Sequence, residues 1–183
     1  ATGLLLPAAV YGWTGNLQLL VAWFHTVTGT TPENLLFGEN ISIATMWAKW
    51  LGPGPTASLL ATATAAATLT LAAVVGIWRR RVRAPDYLEV SLLLWLVPVL
   101  SPQGWDYVLL LGTPAIVLLV DRWRDLSAGW RTVTVASLAL TSFTVFDLVG
   151  RVAYGRILAW SVETVAVLVL AATLAHLRRR ALA

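Results

Sequence analysis

The sequence predicts an all-α fold, a polytopic membrane helical bundle of about five full spans plus the end of one more. Three observations carry that expectation. Of the 183 residues 58% are hydrophobic and only 12% are charged, roughly half the charged share of an ordinary soluble domain. The apolar residues gather into near-continuous runs about as long as a bilayer core requires. The arginines collect at the ends of those runs, where they set topology. Period-two alternation broken by turns is missing, so a membrane β-barrel is not expected.

Taken in order, residues 1–12 read as the tail of a span, Gly3 to Val10, with a kink at Pro7. Ala1 is not preceded by a basic stretch and an apolar core, so no signal peptide is read. The chain is expected to be the carboxy-terminal part of a longer protein. Residues 11–55 then form an extracytoplasmic, interfacial segment. Between Asn16 and Thr28, Leu17, Leu20, Val21, Phe24 and Val27 share one helical stripe, as in a helix lying in the membrane surface. Trp13 and Trp23 suit that depth. Gly29 is expected to stop this helix. Thr31 is expected to cap a further turn with Pro32 at its first position, and Gly38 to break it. Asn40 is expected to cap a helix over Ile41–Leu51, which Gly52 and Pro53 end.

Residues 56–183 are expected to be a five-span bundle. Ser58 to Trp78 is slim and rich in Ala and Thr, which favours close helix packing. Leu88 to Leu100 and Val108 to Val120 follow, the latter with a kink at Gly112 and Pro114. Thr132 to Phe146 and Ile157 to Leu177 complete the set. Ten of the thirteen basic residues fall on one side of this arrangement, at 79–83, 122–131 and 178–180. Only Lys49, Arg151 and Arg156 fall on the other. The arginine-rich side is therefore expected to be cytoplasmic in a multi-pass cell (inner) membrane protein. Residues 11–55, 101–107 and 147–156 are then extracytoplasmic.

Two polar stretches on that outer face could carry chemistry. Ser101-Pro102-Gln103-Gly104-Trp105-Asp106-Tyr107 turns the backbone and sets an acid between two aromatics at a helix mouth. Read plainly, Asp106 is a helix-start acid, favoured by the dipole, and Trp105 and Tyr107 are belt aromatics. Read functionally, Trp105 stacks on a sugar ring while Gln103 and Asp106 bond its hydroxyls. The second stretch is Gly38-Glu39-Asn40-Ile41-Ser42. A helix start there would offer free amides to a phosphate, with Ser42 as a donor and Lys49 two turns on. The plain alternative is a capped helix with an interfacial lysine.

Glu163 lies inside the last apolar run, where an acid should face the bundle or a cavity. Structural pairing with Arg151, Arg156 or a backbone group is the leading expectation for it. His25 and His176 are placed on opposite sides, and the chain holds no cysteine, so no metal or thiolate site is expected. No nucleotide-binding loop or Ser/His/Asp set is present, and no cofactor or nucleic-acid partner is implied.

The two stretches resemble the carboxy-terminal half of glycosyltransferase family 87. These are GT-C-class membrane enzymes that use polyprenyl-phosphate sugars. Members carry an Asn-Gln-Ser element before a small helix, seen here as Glu39-Asn40-Ile41-Ser42. They also carry a Ser-Pro turn leading to Trp, then an acid and often His, seen here as Ser101-Pro102-Gln103-Gly104-Trp105-Asp106-Tyr107. The chain departs at Ile41 and at Tyr107. The resemblance implies transfer of a hexosyl, and specifically mannosyl, residue from a polyprenyl-phosphate donor to a glycolipid or glycan acceptor, by one inverting displacement. It implies a catalytic base upstream of Ala1. Asn40, Ser42 and Lys49 would lie toward the leaving phosphate. Glu39 is grouped with them, and Gln103, Trp105, Asp106 and Tyr107 lie toward the sugar. A transporter or lipid flippase, and a non-catalytic membrane subunit, are the competing classes.

Overall fold

A computed structural model describes residues 6–77 and 85–180. Within them the chain is all-helical. The described residues form nine α-helices: α1 (Ala8–Asn34), α2 (Ile43–Leu51), α3 (Pro55–Ile77), α4 (Pro85–Leu100), α5 (Thr113–Asp121), α6 (Ala128–Phe143), α7 (Phe146–Val149), α8 (Arg151–Ala159) and α9 (Val162–Arg180). A 3₁₀ turn over Asp106–Gly112 leads into α5, and another covers Trp123–Asp125.

The core forms where α9 meets α4 and α6. On α9, Val167, Leu170, Ala171, Leu174 and Ala175 recur at the three- and four-residue spacing of one helical face, and all are buried. They meet Leu92, Trp95, Leu96 and Val99 of α4 and Leu118 and Leu119 of α5. The Trp95 indole donates to the Val167 carbonyl at 2.9 Å, which satisfies its one polar atom inside the core. Gly112 marks the change from 3₁₀ turn to α5, near the predicted kink. A Cβ there would sit 2.0 Å from the Trp95 ring, so only glycine fits.

At the far end of α9 the buried Arg178 guanidinium lies 3.5 Å from Glu89 of α4. On α3 the threonines Thr62 and Thr68 return their hydroxyls to carbonyls four residues back, which hides their polarity from the surroundings. Most of α3 is exposed, as is most of α1, including Leu17, Trp23, Leu59 and Leu69.

Among the described residues one helix, Pro55–Ile77, is long and apolar enough to cross a membrane. A second candidate is the pair α8 and α9, which passes the same test only if a 59° bend is counted inside one span. That bend corrects the expectation of an unbroken pass over Ile157–Leu177. The chain turns at Ser161, whose φ of 51° is unusual for a residue with a side chain and costs about 1–2 kcal/mol.

Three further local expectations are corrected. The break in the first helix is at Gly12, with φ 70° and ψ 170°, a conformation open to glycine; Pro7 only precedes the helix. Gly29 does not stop α1, and Thr31 does not cap a new helix. Pro32 lies inside the last turn of α1, where the Thr30 and Thr31 hydroxyls bond back to carbonyls of the preceding turn. The cap of α2 is Ser42, whose hydroxyl accepts from the Thr45 amide. Asn40 is committed elsewhere.

Candidate functional site

The two polar stretches meet. Asn40, buried, uses both ends of its amide. Its Oδ1 accepts from the Ser42 amide at 3.0 Å and from the Gly104 amide at 3.2 Å. Its Nδ2 donates to the Asn34 and Pro102 carbonyls at 3.1 and 3.2 Å. The Ile41 amide donates to the Gly104 carbonyl at 2.7 Å, and Asn40 and Trp105 pair as an isolated bridge. A Cβ on Gly104 would fall 1.7 Å from the Pro98 carbonyl oxygen. The short sequence signals at 38–42 and 101–107 are thus two sides of one joint.

The joint leaves little of the expected phosphate site open. The Ile41 and Ser42 amides are spent within it. The Ser42 hydroxyl is fully buried and shared with Thr45, whose own hydroxyl donates to the Leu35 carbonyl at 2.7 Å. Lys49 is held by three carbonyls, donating to Gly38, Asn40 and Leu158 at 2.8, 3.3 and 3.0 Å. Burial pushes its ammonium below the ordinary lysine value, and the charge of Glu163 partly offsets this. Lys49 and Trp50, whose indole donates to the Trp160 carbonyl, satisfy carbonyls at the end of α8, a position that needs partners. Glu39 is exposed.

On the other stretch, the Gln103 amide donates to the Thr30 and Thr31 hydroxyls, both at 3.2 Å. Trp105 stacks on Tyr107 with ring centroids 6.5 Å apart and meets Phe37 edge-on at 5.2 Å. Tyr107 is 66% exposed. Asp106 starts the 3₁₀ turn and accepts the Tyr107 amide at 2.6 Å.

Asp106 and Tyr107 also line an open cleft of about 470 Å³. Thr141, Ser142 and Thr144, at the end of α6, bring hydroxyls to it, and Glu163 enters from the start of α9. Trp95, Leu109, Leu110 and Ile116 are among its apolar lining. Glu163 is 3% exposed, and its Oε2 has no hydrogen-bond partner. Among the described residues the expected pairing of Glu163 with Arg151, Arg156 or a backbone group is not formed; the Arg151 guanidinium lies over the Phe146 ring at 5.2 Å.

Of the eight residues proposed from sequence, Asp106 and Tyr107 line the cleft, while Asn40, Ser42 and Lys49 build the joint behind it. The α6 hydroxyls escaped sequence reasoning, because they sit in an ordinary apolar run. Glu163 was legible as an acid in such a run that should face the bundle or a cavity, and it lines the cleft; the residues that share the cleft with it were not legible.

A cleft with carboxylates, hydroxyls and an apolar wall can hold an amphiphile with a polar, hydroxyl-rich head. No family model, no characterised protein and no solved structure matches this chain.

Proposed function

We propose that this chain acts in a polytopic membrane glycosyltransferase. It would move a hexosyl residue, mannosyl by resemblance, from a polyprenyl-phosphate sugar to a glycolipid or glycan acceptor on the extracytoplasmic side. The observation that carries the reading is the cleft beside the joint. Asp106, from a stretch that resembles glycosyltransferase family 87, faces the same space as Glu163 and the α6 hydroxyls. Carboxylates accept hydrogen bonds from sugar hydroxyls, and such charge-assisted bonds are the strong ones. Tyr107 offers a ring at the cleft edge, and the apolar lining suits the hydrocarbon of a lipid-linked substrate.

The membrane setting draws on two features. The outward surfaces of α1 and α3 expose many large apolar side chains, a burden in water and an ordinary surface in lipid. The basic residues cluster at 79–83, 122–131 and 178–180, an asymmetry that supports assigning those ends to the cytoplasm. In this arrangement α3 and the bent α8–α9 pair cross fully. The shorter α4, the 106–121 segment and α6 complete the bundle around the cleft.

A transporter reading draws on the break between α8 and α9, since interrupted helices with a buried acid also line transport sites. One assay separates the two. The complete gene product in lipid nanodiscs, given polyprenyl-phosphate mannose and an acceptor glycolipid, should release polyprenyl phosphate and yield a mannosylated acceptor. Movement of the lipid-linked sugar between leaflets without any transfer would replace the transferase reading with the transport one.

A further inference from the structure

We propose that the cleft between Asp106 and Glu163 takes the neutral, hydroxyl-rich head of the acceptor, and that Glu163 is one of its hydrogen-bond partners. This rests on the reading of the cleft as a sugar site and assigns its occupant. Glu163 is nearly fully buried, yet its Oε2 has no partner and the residue lines the cleft. A buried polar atom left unbonded is destabilising, and a ligand hydroxyl donating to it removes that penalty. Asp106 already accepts one amide through Oδ1 and has its second oxygen left for a neighbouring hydroxyl. The Thr141 and Thr144 hydroxyl protons are used on α6 carbonyls, which leaves their lone pairs as acceptors. Every one of these groups suits a donor of O–H bonds.

The same lining argues against a phosphate. Among the described residues no lysine, arginine or histidine lines the cleft, and the nearby Lys49 ammonium is committed to three carbonyls. The donor carries its anionic phosphate directly on the sugar, so seating that sugar here would bring the phosphate among the acids. Like charges repel, and more strongly in a partly apolar cleft than in water. An uncharged sugar on an alkyl or glycan stem meets no such opposition.

The test uses carboxyl labelling. The complete gene product in nanodiscs is treated with a membrane-permeant carbodiimide, and the peptide carrying residue 163 is followed by mass spectrometry. Labelling at Glu163 should occur, should vanish in Glu163→Gln, and should be slowed at least tenfold by octyl mannoside. Dodecyl phosphate at the same concentration should leave it unchanged. Asp106→Asn should raise the octyl mannoside concentration needed for protection about tenfold. Absence of labelling at Glu163, protection by the phosphate equal to that by the glycoside, or protection by neither, overturns the proposal. Protection by octyl mannoside in a protein that transfers no sugar would sink the transferase reading and leave the site standing. Transfer with Glu163 unprotected would do the reverse.

Discussion

Asn40 and Gly104, 64 positions apart, are joined by a hydrogen bond of 3.2 Å from the Gly104 amide to the Asn40 side-chain oxygen. That bond is one of four through which a single buried amide fixes the entry to α2 against the turn after α4. The position of Asp106, two residues past Gly104, follows from it.

Replacing Asn40 by alanine should therefore cost more than one hydrogen bond. The Ser42 and Gly104 amides lose their partner, at about 1–3 kcal/mol for each that stays buried, while the Asn34 and Pro102 carbonyls each lose one of two donors. A loss of about 3 kcal/mol or more is expected from denaturant unfolding of the protein in mild detergent. Gly104→Ala should be comparably damaging, because its Cβ would overlap the Pro98 carbonyl. An Asn40→Ala protein within about 0.5 kcal/mol of wild type would contradict the joint.

Lys49 gives a pH signature. Its folded-state value lies below 10.5, first because it is buried and despite the opposing charge of Glu163. Between that lowered value and 10.5 the unfolded chain binds more protons than the folded one, so stability from this group rises with pH. The melting temperature of wild type minus that of Lys49→Met should grow as pH is raised toward 10.5. A difference that shrinks over that window would show that burial does not dominate at this ammonium.

The chain has no native cysteine, which makes orientation directly measurable. Glu39 and Ser127 are both exposed, and the proposed topology puts them on opposite faces. Glu39→Cys should react with an impermeant maleimide in intact cells, and Ser127→Cys only after permeabilisation. The opposite pattern would invert the topology and remove the cleft from the outer face.

How far the sequence reveals this molecule depends on the range of the interactions involved. The helices α3 and α9 are legible because their apolar runs are long and their local signals agree. The turn at 101–105 is legible through Pro98, Pro102 and Gly104. The role of Asn40 is not, since an asparagine before a helix has the same appearance whether it caps locally or bridges to Gly104. Pro32 misleads because a proline near a helix end fits a start or a last turn equally well. The break at Ser161 carries no glycine or proline to announce it. It is held from outside, by Lys49 and Trp50 on the carbonyls of Leu158 and Trp160. Glu163 draws attention as a lone acid, but only the fold brings Asp106 and the α6 hydroxyls to the same cleft.

In the proposed function Asp106 contacts a sugar during lipid-phosphate-dependent transfer. The most direct test of that contact is the kcat/KM for transfer of mannose from polyprenyl-phosphate mannose, compared between wild type and Asp106→Asn at equal amounts of folded protein. Loss of a charge-assisted hydrogen bond worth about 1.5–3 kcal/mol predicts a fall of roughly 10- to 100-fold. Transfer by Asp106→Asn within about twofold of wild type, where a tenfold change corresponds to about 1.4 kcal/mol, would contradict it.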